Sequence, residues 1–147
     1  MALVNAITGE VLDTYALKLG KQGKRTEHDA DDKLTDWLTD GPIPRAALEE
    51  VHAMPAQGVT SMFSFGRVYG FLIGLLVAHR IPFTLVTPRR WMKDLSFQGG
   101  GIKSRSRIRA SREFPNLKVT NDIADAILIG RWLYLEERKL RVAASQP

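Results

Sequence analysis

The 147-residue sequence predicts a mixed α/β layer fold, in which helices cover a small sheet. Short apolar runs alternate along the chain with longer segments whose apolar residues recur at helical spacing. In chain order these segments read strand, strand, helix, strand, helix, strand and then helices, an order typical of α/β layers. Hydrophobic residues make up 44% of the chain and charged residues 25%, so we expect residues 1–147 to form a single domain.

The first half of the chain predicts a hairpin, a helix and a third strand. The stretch ALVNAITGEVLDTYAL alternates polar and apolar side chains on both sides of a turn at Thr8-Gly9. Residues 26–40 predict a helix that is acidic at its start and has a buried stripe of leucine and tryptophan. The prolines at 42 and 44 end that helix, and residues 46–51 (AALEEV) predict a short strand that ends in acids.

Residues 61–80 predict a strong helix with an unusual face. Gly66, Gly70 and Gly74 recur at every fourth residue, so one side of the helix is almost bare backbone. Each glycine costs about 1 kcal/mol relative to alanine inside a helix. We therefore expect another backbone to approach this face closely, either the sheet of the same chain or the helix of a partner subunit.

The second half of the chain predicts one strand and three helices. Residues 81–86 (IPFTLV) predict a buried strand, and Thr87-Pro88 has the residue types that cap and begin a helix. The glycine-rich segment 96–101 predicts a mobile loop. A basic helix over 103–114 and a last helix over 121–141 follow, and the tail 142–147 is expected to be disordered.

The basic charge of the chain is concentrated in one segment. The net charge is +5, but residues 1–50 hold six basic against ten acidic side chains, a balance of −4. Residues 89–112 hold eight basic side chains against one acid, a balance of +7. Such a segment indicates either a polyanionic partner or a solvated basic helix face.

The absence of cysteine excludes a disulfide framework, a thiolate metal site and a cysteine nucleophile. It suits a reducing compartment, and the N-terminus lacks the pattern of a signal peptide, so we expect a cytoplasmic location. The longest uninterrupted apolar run, residues 68–78, has only 11 residues, which predicts a soluble protein without a membrane span.

Two carboxylates stand at the start of the last helix, in the stretch NDIADAILIGRWL. Asp122 and Asp125 lie three residues apart and therefore on one helical face. An acid in the first turn is favoured by the helix dipole, which explains Asp122, with Thr120 and Asn121 as possible caps, better than it explains Asp125. Capping and solvation, or a metal-binding or catalytic role, both remain open from the pattern alone.

A third acid ends the strand at 46–51. Glu49 and Glu50 are neighbours on a strand and point to opposite faces, so only one of them can share a site with the aspartates. Three carboxylates that converge without histidine or cysteine would suit Mg²⁺, with Mn²⁺ as a substitute. Such an ion next to a basic surface can activate a water for phosphodiester hydrolysis.

Several motifs of the chain resemble those of the RuvC-like Holliday junction resolvases, in particular their bacterial and phage branch. They are LEEVHAMPAQGVTSMFSFGRVYG, IPFTLVTPRRWMKDL, KSRSRIRASREFP and NDIADAILIGRWL, which together cover about residues 46–135 in the order of that family. The resemblance implies an RNase H-like (RuvC-type) mixed sheet flanked by helices. It also implies a homodimer that uses divalent metal to nick four-way DNA junctions in recombination, repair or phage DNA processing.

The resemblance assigns a role to each candidate residue. The catalytic and metal-binding residues would be Glu49, Asp122 and Asp125. The helix that carries Gly66, Gly70 and Gly74 would form the dimer interface. His52 falls where some relatives have a phenylalanine that stacks on bases, and Lys93 and Lys103 match positions where the family keeps lysines that hold DNA near the cut. Together with arginines of the basic segment, the predicted DNA-binding set is His52, Arg89, Arg90, Lys93, Lys103, Arg105, Arg107 and Arg109. Neither a small-molecule cofactor nor a membrane is implied.

One departure from that family concerns its first strand. The family begins with G-I-D-P-G, whose aspartate is the first of four catalytic carboxylates, and this motif does not occur in the chain. Either the true start lies upstream of Met1, which the intact downstream motifs favour, or the chain is a degraded copy. An alternative function is therefore a catalytically incomplete protein that binds four-way junctions. A weaker alternative is a nuclease that acts on RNA–DNA hybrids.

Overall fold

The computed structural model describes residues 1–16, 32–41, 43–52, 58–97 and 104–145. The order of strands and helices predicted from the sequence is confirmed within these residues, and the chain is a mixed α/β protein. The elements in chain order are β1 Ala2–Val4, β2 Val11–Thr14, α1 Asp32–Thr39, β3 Ala46–Glu49, α2 Val59–Ala78, β4 Phe83–Val86, α3 Pro88–Asp94, α4 Arg105–Glu113 and α5 Asn121–Ala144.

The strands form two separate two-stranded sheets in the described part of the chain. β1 and β2 are antiparallel and form the predicted hairpin, in which Ala2 pairs with Thr14. β3 and β4 are parallel, and Glu49 at the end of β3 pairs with Val86 at the end of β4. A single mixed sheet of the RNase H-like kind is not formed by these residues, because no ladder joins one pair of strands to the other.

Helix α5 is the element on which both sheets are assembled. It packs against β1 and β2 of the hairpin, against β3, and against α3 and α4. Its buried residues are all apolar: Ile123, Ala124, Ile127, Leu128, Ile129 and Trp132. The apolar run after Asp125 is therefore the centre of the core, as its sequence indicates.

The hairpin turn is shaped to fit against α5. Gly9 has a φ of +74°, a conformation that side chains other than glycine rarely adopt. A Cβ added there would lie 2.7 Å from the ring of Tyr134 on α5. Asn5 stabilises the same turn, because its side-chain oxygen accepts hydrogen bonds from the backbone N–H groups of Ile7 and Thr8.

Helix α2 is only partly covered by the described part of the chain. It has no buried residue, and Val59 and Phe63 are 86% and 67% exposed. A Cβ added at any of the three glycines meets no atom of the described residues within 4 Å, so the sheet of this chain does not cover the glycine face. By length and composition alone α2 could cross a membrane, which the uninterrupted 11-residue run did not indicate.

Several element ends differ from the sequence prediction. β3 ends at Glu49 rather than at residue 51, and α5 continues to Ala144, so residues 142–144 of the expected tail are helical. Thr87 does cap α3, since its hydroxyl accepts from the backbone N–H of Arg90. Thr120 occupies the N-cap of α5 without a side-chain capping bond. The predicted start of the first helix, most of the glycine-rich loop and the last two residues lie outside the described residues.

Candidate carboxylate site

Glu49 is held at the carboxyl end of β3 by a hydrogen bond from α3. Because β4 runs parallel to β3 and ends opposite Glu49, the chain that leaves β4 returns over the end of β3. Thr87 and Pro88 start α3 at once, and its first turn brings Trp91 into the core. The indole Nε1 of Trp91 donates to Oε1 of Glu49 over 2.9 Å.

The pKa of Glu49 is raised above its ordinary value. Burial of the carboxyl group is the main cause, and the charge of Asp125 adds to it, whereas the hydrogen bond from Trp91 acts in the opposite direction. Like charges raise a carboxyl pKa only when they lie close enough to repel each other. The fold therefore brings the end of β3 and the start of α5 within electrostatic range of one another.

Asp122 does not join this pair in a compact cluster. Asp122 and Asp125 are both exposed on the first turns of α5, and Asp122 lies in the first turn, where the helix dipole favours it. In the described ranges, no group of three His, Cys, Asp or Glu side chains has the arrangement of a metal site. Of the three predicted carboxylates, Glu49 and Asp125 are thus the two that interact electrostatically.

A pair of carboxylates still fits the chemistry of Mg²⁺. This ion keeps several waters and is commonly held by one or two carboxylates together with substrate phosphates. Glu49 and Asp125 offer oxygen donors only, and a cation between them would relieve the repulsion that raises the pKa of Glu49. The donor set is therefore suitable for a hard divalent ion, with fewer protein ligands than the sequence predicted.

Glu50 faces a different environment from Glu49. His52 Nε2 lies 3.6 Å from Oε1 of Glu50, and the imidazole is largely exposed. The pKa of Tyr69 on α2 is raised, mainly by burial and in addition by the charge of Glu50. The two adjacent glutamates therefore lie in different surroundings, as expected for neighbouring residues of a strand.

The predicted DNA-binding arginines and lysines fall into two groups. Arg89, Lys93, Arg105 and Arg107 form no ion pair with any other described residue, and Arg89 and Lys93 lie four residues apart on one face of α3. Arg90 and Arg109 are instead engaged within the chain. Lys103 lies outside the described residues.

Arg90 and Arg109 each contact both an acid and an aromatic ring. Arg90 lies 3.8 Å from Asp94 and 5.6 Å above the ring of Trp132. Arg109 donates to Glu113 over 2.7 Å and to the backbone carbonyl of Leu95, and its guanidinium lies 4.8 Å from the ring of Phe97. These two arginines therefore stabilise the packing of α3, α4 and α5.

One surface cavity lies away from the carboxylate pair. It is an open cleft of about 480 Å³ between the hairpin turn, α4 and α5, and neither Glu49 nor Asp125 lines it. Its two arginines, Arg109 and Arg131, both lie within ion-pair distance of Glu113. Neither arginine of this described lining is therefore free of an acidic partner.

Sequence reasoning missed Trp91 as a member of the site. A buried indole N–H needs a hydrogen-bond acceptor, so a tryptophan in an amphipathic helix directly after a strand was a usable signal. The position of its acceptor depended on the pairing of β3 with β4, which the local pattern does not give.

No protein-family model matches the chain, and a comparison with curated proteins finds no relative. The resemblance to the RuvC-like resolvases therefore rests on the sequence motifs alone.

Proposed function

We propose that this protein is a metal-dependent, structure-selective DNA endonuclease that acts on four-way junctions, in the manner of the RuvC-like resolvases. The observation that carries the proposal is the coupling of Glu49 with Asp125, two acids 76 residues apart that the fold brings within electrostatic range. Acidic side chains that repel each other at the end of a strand are typical of sites where a cation binds or a proton is moved.

The chemistry assigned to this site is phosphodiester hydrolysis. Mg²⁺ supplies an activated water and stabilises the leaving oxygen when it is bound. Glu49 and Asp125 would hold the ion, and Asp122 lies on the same face of α5, one turn before Asp125. Trp91 keeps one oxygen of Glu49 in place, while the exposed position of Asp125 leaves it accessible to DNA.

The basic side chains that form no ion pair with another described residue support a phosphate-binding surface. Arg89 and Lys93 belong to the same short helix as Trp91, so they lie on the element that contacts Glu49. Arg105 and Arg107 extend the positive charge along α4. Because Arg90 and Arg109 are used for packing, we assign DNA contact to Arg89, Lys93, Arg105 and Arg107 and to the exposed His52, which can stack on an unpaired base. Lys103, outside the described residues, stays a predicted DNA contact.

The exposed helix α2 supports a homodimer. Both ends of α2 return to strands of one sheet, β3 and β4, which is the connection of a β-α-β unit, whereas the ends of a single membrane span lie on opposite sides of a bilayer. Arg67 in the middle of the helix would also cost about 2.5–3.5 kcal/mol at the centre of a bilayer. We therefore assign the glycine face to a second copy of the chain.

The division of the strands into two sheets is compatible with an RNase H-like fold that lacks its central strand. Both β1 and β3 pack on α5, so the two sheets lie on the same helix without a shared ladder. In the resolvase family the first strand lies between the elements that these two strands would represent. This arrangement supports the fold assignment as far as the described residues reach.

The test is cleavage of a labelled four-way junction in the presence of Mg²⁺. Asp125→Asn is compared with wild type and with Asp36→Asn, a matched substitution of an exposed acid on α1. We expect Asp125→Asn to reduce nicking by about ten- to hundred-fold or more, whereas Asp36→Asn leaves it unchanged. Equal cleavage by all three proteins would overturn the assignment of Asp125. The same three proteins are then compared after extension at the N-terminus by the residues that the upstream reading frame encodes. This second comparison determines whether cleavage requires a further strand.

A second candidate function is a junction-binding protein without nuclease activity. It is favoured by the lack of a three-carboxylate group among the described residues and by the missing G-I-D-P-G motif. A gel shift distinguishes the two functions: tight, Mg²⁺-independent binding of the junction with no nicking by either chain length would support the binder. An RNA–DNA hybrid of matched length in the same cleavage assay tests the weaker alternative, a nuclease that acts on such hybrids. Comparable or better cutting of the hybrid would favour that alternative.

A further inference from the structure

All three tryptophans of the chain donate their indole N–H to an acidic side chain. Trp37 donates to Asp13 over 3.1 Å, Trp91 donates to Glu49 over 2.9 Å and Trp132 donates to Asp94 over 2.9 Å. Only Trp91 bonds to an acid of the candidate site. Trp91 and Trp132 are both buried, and their hydrogen bonds are equal in length. They differ in the acceptor, which belongs to the candidate site for Trp91 but not for Trp132, so Trp132 is a matched control.

We propose that Trp91 is a positioning residue that fixes the Glu49 carboxylate in the orientation in which it receives a divalent cation. This inference rests on the proposed function and adds to it a residue that has no acid–base or ligand chemistry of its own. Side chains that orient a metal ligand through a hydrogen bond commonly change metal affinity or activity by about ten- to hundred-fold when they are removed.

The rigidity of Trp91 is the first argument. Its side chain is fully buried, and its ring packs edge-on against Phe97 with centroids 5.5 Å apart. The helix that carries it is capped by Thr87 and follows a strand that pairs directly with β3. Because the ring is fully buried and its helix follows directly from the strand that pairs with β3, the direction of the N–H bond is held relative to the end of β3.

The use of a single carboxylate oxygen is the second argument. The indole has only one donor, which is directed at Oε1 of Glu49, so the bond restricts rotation of the carboxyl group without occupying both oxygens. A glutamate side chain has three rotatable bonds, and a partly exposed one without such a partner would sample several orientations. The hydrogen bond already restricts the Glu49 side chain before a cation binds. Cation binding therefore costs less conformational entropy than it would for an unrestrained glutamate.

The test combines indole NMR with cleavage kinetics. In ¹⁵N-labelled wild-type protein, the three indole N–H resonances are assigned with Trp37→Phe, Trp91→Phe and Trp132→Phe. During a titration with Mg²⁺ alone, we expect the Trp91 resonance to shift in a saturable manner while those of Trp37 and Trp132 remain in place. Glu49→Gln, whose amide oxygen still accepts from Trp91, should abolish the Mg²⁺-dependent shift.

In the cleavage assay, Trp91→Phe should lower kcat by about ten- to hundred-fold and raise the Mg²⁺ concentration for half-maximal rate, with KM for the junction unchanged. Trp132→Phe removes an equivalent bond and serves as the control for loss of packing. A Trp91 resonance that does not respond to Mg²⁺, or a Trp91→Phe enzyme with the Mg²⁺ dependence of wild type, would overturn the inference.

Failure of the proposed function gives a different pattern, in which wild type does not nick the junction. The wild-type NMR titration then decides the role of Trp91 by itself. It also decides that role if Trp91→Phe does not fold, because the wild type and Glu49→Gln both retain the indole.

Discussion

The indole Nε1 of Trp132 on α5 donates a hydrogen bond to Oδ2 of Asp94 at the end of α3. The guanidinium of Arg90 lies above the same indole ring and also approaches Asp94. This contact ties α3 to α5.

Asp94→Ala should therefore destabilise the fold. The substitution leaves the buried N–H of Trp132 without its acceptor, which costs about 1–3 kcal/mol. The measurement is the free energy of unfolding in urea. Asp40→Ala, which removes an exposed acid after α1, is the control and should change it by less than about 0.5 kcal/mol. Equal effects of the two substitutions would contradict the role assigned to Asp94.

Glu49→Gln should stabilise the protein at neutral pH. The pKa of Glu49 is higher in the folded chain than its ordinary value of 4.5, so the folded state favours the uncharged carboxyl group. The contribution of this group to stability is complete below about pH 4.5 and is lost as the pH rises through the folded-state pKa. The melting temperature of Glu49→Gln minus that of wild type should accordingly be positive at pH 7, measured without divalent metal, and should fall toward zero on acidification.

Glu49→Ala is the matched control for this pH profile. Unlike glutamine, alanine offers no oxygen to the N–H of Trp91, so we expect it to be less stable than Glu49→Gln by about 1–3 kcal/mol. If alanine and glutamine have the same stability at pH 7, the hydrogen bond to Trp91 contributes nothing.

Two glycines in helices should respond oppositely to alanine. A Cβ at Gly130 of α5 would lie 2.7 Å from Cγ2 of Val4, so Gly130→Ala overpacks the contact with β1 and should cost about 1–3 kcal/mol. Gly70→Ala on α2 meets nothing among the described residues and should raise the stability of the monomer by up to about 1 kcal/mol. Urea unfolding at low protein concentration measures both, and destabilisation by Gly70→Ala would indicate that the chain itself covers that face.

Gly70→Leu should weaken the proposed dimer without unfolding the monomer. A leucine projects from the glycine face, where the described part of the chain leaves space, and would separate two helices packed through that face. We expect sedimentation equilibrium to show at least a tenfold higher dimer dissociation constant. Gly41→Leu, at an exposed glycine with open space around it, is the control. A monomeric wild type, or binding of wild type to phospholipid vesicles that Gly70→Leu does not alter, would count against the dimer.

Arg107→Ala and Arg109→Ala should separate DNA binding from stability. Arg107 is exposed and has no ion-pair partner in the described segments, so its removal should weaken junction binding and reduce the salt slope by about one unit. Arg109 bonds to Glu113 and to the carbonyl of Leu95, so its removal should mainly lower the melting temperature. Fluorescence anisotropy over a range of salt concentrations and thermal unfolding measure the two effects. Reversed results would show that the packing role was assigned to the wrong arginine.

Local patterns in the chain were sufficient to predict the order of the helices and strands in its described part. The alternation around Thr8-Gly9, the cap at Thr87 and the apolar run after Asp125 each depend on residues close together in sequence, and all three appear as predicted. The C-terminal end of α5 shows where this reasoning weakens. The sequence predicted that the helix ends at residue 141, because residues 142–144 carry no strong signal for helix or for loop, yet these residues are helical.

Pairing over long distances was decided by the tertiary structure. The sequence indicated that Glu49, Asp122 and Asp125 carry acidic charge at the ends of a strand and a helix, but the register of β3 with β4 and the packing of α5 selected Glu49 and Asp125 as the coupled pair. The same packing assigned Arg90 and Arg109 to internal contacts and made Trp91 the partner of Glu49. Residue type and local spacing determine helices, strands and charge, whereas distances between side chains remote in sequence depend on how those elements pack.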